Sequence, residues 1–230
     1  MDWCGLKSSL RTYLFVVLER TGYENLLEGF TRMKETKLAV AGWSIVGWSA
    51  VIIGIMLAVI WLIYGVDETA MRLAIRATAR TSCILFLCAF VASSLRSLWQ
   101  NIFTQWLLTN RRFFGLSMAV SHTYHAIAWS GLWFVTSGAS PGFDPLGILG
   151  YVFLFAMTVT SFERSAAWIG QRAWKILHNA GMHYFWLAFT FEFGIKIFKS
   201  AIVYLPLTAL LIAAIMIRLV SPRIQRKLVC

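Results

Sequence analysis

The four histidines are the residues best suited to chemistry, and they are unevenly placed. His122 and His125 fall in one apolar stretch, His178 and His183 in another, and the rest of the chain has none. Polar side chains inside apolar segments are costly in lipid, so they mark function or a specific internal partner. Neutral imidazole is the common axial ligand of haem iron, and a membrane b-type haem is clasped between two helices by one histidine from each. Two histidine-bearing segments meet that requirement in outline. The alternative is a set of buried histidines hydrogen-bonded across helices, and placement alone leaves both readings open.

Spacing narrows the geometry. On a helix, His122 and His125 share a face, one roughly 4.5 Å above the other. His178 and His183 sit about 140° apart around the axis, so both cannot point squarely at one haem. Ala180 and Gly181 would let a flat macrocycle or another helix approach closely. Counted from the apparent helix starts, His122 and His183 lie at about the same depth, which would set a bis-histidine haem near mid-membrane. Glu163 and Glu192, near segment ends, suit proton relay or simple pairing with Arg or Lys. Arg80 and Arg96 suit haem propionates, a quinone or lipid headgroups. The sequence has no Gly-rich phosphate loop, no Ser-His-Asp order and no metalloprotease motif.

The elements that must hold these residues are membrane helices. Of 230 residues, 59% are hydrophobic and 13% charged, with a mean hydropathy of +0.68. A soluble domain carries roughly 25% charged residues, because it must cover its surface with them. Trp43–Tyr64 is uncharged and long enough to cross about 30 Å of hydrocarbon. Six spans are predicted, at about 43–64, 73–95, 112–135, 147–161, 172–193 and 201–219. The reading is an all-α integral membrane protein, a bundle of about six transmembrane helices. Residues 1–40 form a polar cytoplasmic segment, within which Leu10–Leu18 reads as an interfacial helix. Residues 41–220 form the transmembrane domain, and 221–230 a basic tail.

Charge sets the orientation. Lys and Arg cluster in the N-terminal segment, in the loops after spans two and four, and in the tail; the loop 136–146 has none. By the positive-inside rule that basic side, with both termini, is cytoplasmic, and the location is the inner (plasma) membrane. The net charge of +11 is thereby assigned to topology and lipid headgroups, not to nucleic acid. Cys4, Cys83, Cys88 and Cys230 have no CxxC spacing, so a disulfide or metal role is not expected. The first 40 residues predict no cleavable signal peptide.

Two further blocks carry a resemblance. Arg111-Arg112-Phe113-Phe114-Gly115-Leu116 followed by His125 is similar to the R-R-x-x-G-L opening of a haem-binding helix. Thr160-Ser161, then Gln171-Arg172-x-Trp174-x-x-Leu177-His178-Asn179, resemble the close of span four and the opening of span five in the same family. Over roughly residues 43–220 the chain resembles the ferric-reductase-like transmembrane domain family, nearest to the MsrQ family of haem-binding membrane subunits. The resemblance implies six spans, one or two b-type haems between helices three and five, and electrons passing from a quinol or flavoprotein to an acceptor across the membrane. It implies His125 and His178 as iron ligands, with His122 and His183 as alternates, and Arg111, Arg112, Gly115 and Trp174 around the cofactor. The chain departs from the family in having Phe191 at the position of a second helix-five histidine, and Arg111 where two-haem members carry a histidine. With no soluble domain there is no place for FAD or NAD(P)H, so electrons must come from a redox partner or a larger membrane complex. Two functions follow as expectations: a haem b electron-transfer subunit, or a haem-free structural or assembly subunit that kept the fold. A transporter is disfavoured by the few carboxylates in the spans and the lack of paired Gly/Pro-interrupted segments.

Overall fold

The computed structural model describes residues 40–138 and 145–229, the last eight of them by backbone alone. The interfacial helix expected at Leu10–Leu18 and most of the loop at 136–146 lie outside the described residues. Eight helices are described: α1 (Trp43–Tyr64), α2 (Glu68–Leu98), α3 (Ile102–Thr109), α4 (Arg111–Val135), α5 (Pro145–Val159), α6 (Glu163–Ile169), α7 (Gln171–Lys196) and α8 (Ala201–Val229). There is no strand among the described residues.

Local chemistry sets the boundaries. α1 is bracketed by Gly42 (φ 63°) and Gly65 (φ 76°), a backbone conformation that costs glycine little. α2 begins at Glu68, five residues before the expected start, because the Asp67 carboxylate caps it by accepting from the Ala70 N–H at 2.7 Å. That cap carries the helix through Arg72, Arg76 and Arg80. α3 was not foreseen; it is nucleated by a capping box in which Asn101 and Thr104 satisfy each other's backbone N–H groups. At Thr160–Phe162 the chain turns by 107° between α5 and α6.

Three helices are long and apolar enough to cross a membrane: α1, α2 and α8 over Ala201–Ser221; a fourth is added if the bent α5–α6 pair is one broken span. α4 and α7, at 25 and 26 residues, are long enough but more polar, for they carry the histidines and several arginines. α1 exposes Trp48, Ile52, Ile55 and Leu62, so its outward face is as apolar as its inward one. Water would not tolerate that surface; a bilayer does.

α2 is the hub, packing on α1, α3, α4, α7 and α8, while α7 packs on α5 and α8. Where α1, α2 and α4 meet, Ile53, Leu57 and Ile60 lie against Ala70, Ala74 and Ala128, and the small alanines let the backbones close. The α2–α4 seam is also bonded through hydroxyls: Ser82 Oγ donates to Ser121 Oγ at 2.8 Å, and Ser121 Oγ donates to the Thr78 carbonyl at 3.2 Å. Phenylalanines fill the other half of the core: Phe86 and Phe90 of α2 with Phe185, Phe189 and Phe193 of α7. α4 and α7 have no extensive backbone packing, and a space opens between them at the end where both begin.

Candidate functional site

That space is a cavity of about 430 Å³. Its walls are apolar, supplied by Phe86 and Ala89 of α2, Leu116 of α4, Leu154 of α5 and Phe185 of α7. Its polar lining is unbalanced in charge. Arg111 and Arg112 come from the first turn of α4, Lys175 from the first turns of α7, and Arg218 from α8; among the described residues no Asp or Glu lines it. Arg218 is fixed across the opening, donating to the Phe90 carbonyl at 3.3 Å and to Asn179 Oδ1 at 3.1 Å, with its guanidinium 4.6 Å from the centre of the Phe90 ring. Gly115 lines the cavity too, and a Cβ built on it would meet nothing within 4 Å.

One histidine reaches this cavity, His178. Its ring stacks on Trp174 one turn earlier, centroids 4.4 Å apart, and Nε2 lies 3.1 Å from Thr160 Oγ1. Trp174 Nε1 donates to the Thr160 carbonyl at 2.9 Å, so the residue that closes α5 holds both rings. Thr160 Oγ1 also lies 2.7 Å from the Ala156 carbonyl. A hydroxyl has one proton to give; donated to Ala156, it leaves Thr160 to accept from His178 Nε2–H, which frees Nδ1 as a lone-pair donor. Three thioethers share the lining, from Met118, Met157 and Met182. Met157 is seated by Gly181, whose missing side chain leaves room for Sδ.

The other histidines lie elsewhere. His125 Nδ1 is 3.0 Å from Thr78 Oγ1 on the hydroxyl-lined α2–α4 seam. His122 is ringed by His125, Tyr151, Phe185 and Phe189 at centroid distances of 5.8 to 6.0 Å. Its Nδ1 is buried without a formed hydrogen bond, the Met118 carbonyl one turn back being near but out of bonding geometry. His183 is exposed, with Nδ1 2.7 Å from the Asn179 carbonyl and its ring edge-on to Phe90. The depth ruler that matched His122 with His183 therefore does not describe the packing: His122 meets Phe185 and Phe189, further along α7. Phe191, for which the resemblance implied a histidine, is 61% exposed.

The cavity thus gathers His178, Arg111, Arg112, Gly115 and Trp174 and leaves out His122, His125 and His183. Met182 was open to the sequence reading as a non-histidine ligand; Arg218, Lys175, Met118 and Met157 were missed as lining residues. Arg218 had a visible signal, as the lone charge in the apolar run 201–220. Met118 and Met157 had none, since a thioether in a membrane helix reads as ordinary packing.

Chemically, the site suits an amphiphile with an apolar body and an anionic head. Haem b meets that description: its macrocycle is flat and apolar, its propionates are anionic, and its iron takes imidazole or thioether. The residues fit one haem ligated by His178, with thioethers as the other iron-binding side chains among the described residues that line the cavity. They do not fit a bis-histidine pair across α4 and α7. Neither family models, curated proteins nor solved structures give a match to this chain.

Proposed function

We propose that the protein is a membrane electron-transfer subunit that holds one b-type haem in the cavity between α4 and α7. One observation carries this reading: a single cavity combines a histidine, thioethers, a ring of cations without carboxylates, and apolar walls. His178 would ligate iron through its free nitrogen, with Thr160 and Trp174 fixing the ring. Arg111, Arg112, Lys175 and Arg218 would hold the propionates by charge-assisted hydrogen bonds. The haem, when bound, supplies one-electron chemistry; the chain's own residues orient it, neutralise its carboxylates and exclude water. Imidazole–thioether ligation favours a higher potential than a bis-histidine pair in a comparable setting. The bundle is read as six spans with both termini cytoplasmic, which puts the cavity in the cytoplasmic half of the inner membrane. A quinol or flavoprotein donor and a partner protein or larger complex as acceptor complete the scheme.

The test is a dithionite-reduced minus oxidised visible spectrum of the detergent-purified protein, with haem counted per chain. A sharp b-type α band at about one haem per chain supports the reading. A flat spectrum from folded protein made with ample haem rejects it. A second reading, a haem-free structural or assembly subunit, is favoured by the single histidine in the cavity and by the outward-facing Phe191. That protein would be colourless and would copurify with stoichiometric partners.

A further inference from the structure

Arg80 is a partly buried cation on α2 that no described carboxylate neutralises. It faces Tyr204, three residues into α8, so it lies near the end of the bundle where that helix begins. Its contacts are to one neutral residue: Nη2 donates to Tyr204 Oη at 3.3 Å, and the guanidinium stands 5.2 Å from the centre of the same ring. Its Nε is buried with no hydrogen-bond partner. Tyr204 is itself fixed, buried and packed on Phe193.

The described residues include four carboxylates, and each stands elsewhere. Asp67 caps α2, Glu68 pairs with Arg72 one turn on, Glu192 pairs with Lys196, and Glu163 opens α6 at the other end of the bundle. A phenol and a ring face soften a buried charge but do not cancel it. A partly buried arginine is stabilised by pairing with an anion, and its fork of N–H donors matches phosphate. The side chain is partly exposed. Arg76, one turn toward Glu68, is exposed, and Ile84, one turn the other way, is 52% exposed. Leu205, next to Tyr204, is exposed on α8. A cation with a fixed aromatic beside it, flanked by open aliphatic side chains along the helix, presents a head site and a tail track.

We infer that Arg80 and Tyr204 form a binding site for the phosphate of an anionic phospholipid, whose acyl chain runs along the exposed Ile84 and Leu205. This site lies on α2 and α8 and does not rest on the haem reading.

The test uses the full-length protein in nanodiscs and by native mass spectrometry, with dioleoylphosphatidylglycerol against dioleoylphosphatidylcholine as probes. Wild type should retain one phosphatidylglycerol that Arg80→Gln binds about tenfold more weakly, as loss of a charge-assisted bond predicts. Arg80→Lys, which keeps the charge on a stem of similar length, should fall between them, and Arg76→Gln should bind as wild type does. Phosphatidylglycerol should also raise the melting temperature of wild type and not of Arg80→Gln. Displacement of the bound lipid by inorganic phosphate would keep the anion chemistry but assign a water-borne source. Equal retention of phosphatidylcholine, or retention unchanged in both Arg80 variants, would overturn the site.

Discussion

Trp174 and His178 stack with ring centroids 4.4 Å apart, and Thr160 ties down both, one through its carbonyl and one through its hydroxyl. Thr160→Val keeps the carbonyl and the side-chain shape and removes the hydroxyl, with its bonds to His178 and to the Ala156 carbonyl one turn back. We expect a loss of about 1 kcal/mol in stability, the net worth of one such bond. Bound haem should show a shifted Soret band, because the ring it meets is no longer fixed. Thermal melts and spectra of the purified variant check both, and a variant identical to wild type in both would show that Thr160 does not position His178.

The histidines should separate cleanly. His178→Ala should purify folded with haem near zero, whereas His122→Ala and His125→Ala should keep it. His125→Ala should still lose stability by about 1 kcal/mol, since Thr78 Oγ1 loses a partner on the buried α2–α4 seam. Haem per chain in the three variants decides this; loss in His125→Ala with retention in His178→Ala would place the haem on the α2–α4 side.

Much of this arrangement was legible in the sequence, though unevenly. Uncharged α1 was read to the residue, because nothing but an apolar run had to be recognised. The block Gln171 to Asn179 pointed to Trp174 and His178, and Thr160-Ser161 to the residue that binds them. Facing was not legible. Whether His183 looks into the bundle or out of it depends on how α7 is rotated against α2, α5 and α8, which is fixed by the phenylalanine packing and not by the local pattern. α3 was overlooked because eight residues are too few for a period to stand out, although Asn101 and Thr104 announced its start. The early start of α2 was hidden by Arg72, Arg76 and Arg80, which read as a basic flank before the apolar run but sit on a capped helix.

Two glycines offer a contrast in packing. Gly181→Ala would drive a methyl group into Met157 Sδ, and overpacking of this kind costs about 1–3 kcal/mol. Gly115→Ala meets open space and should leave stability unchanged or slightly improved, through helix propensity. Gly115→Leu should instead fill the cavity and lower haem occupancy while the fold survives. Melting curves paired with haem counts distinguish the three; equal stability of Gly181→Ala and wild type would show that Met157 moves aside freely.

Introducing a histidine at Phe191 should do nothing. Phe191 points outward with 61% of its surface exposed, so Phe191→His places an imidazole in lipid contact and not opposite His125. Haem per chain should stay at the wild-type value. A second equivalent of haem would mean that α7 turns on its axis to face α4.

The gap between α4 and α7 has a consequence for assembly. α1, α2 and α4 close on one another through alanines and hydroxyls, and α5, α7 and α8 join them mainly through α2 and the phenylalanine cluster. At the basic end, where α4 and α7 stand apart around the cavity, whatever fills it takes the role a further helix would play. An occupant of that kind is a keystone. Its departure would remove an internal wall, and the turnover of such a protein in the cell would then follow the supply of its ligand as closely as that of the polypeptide.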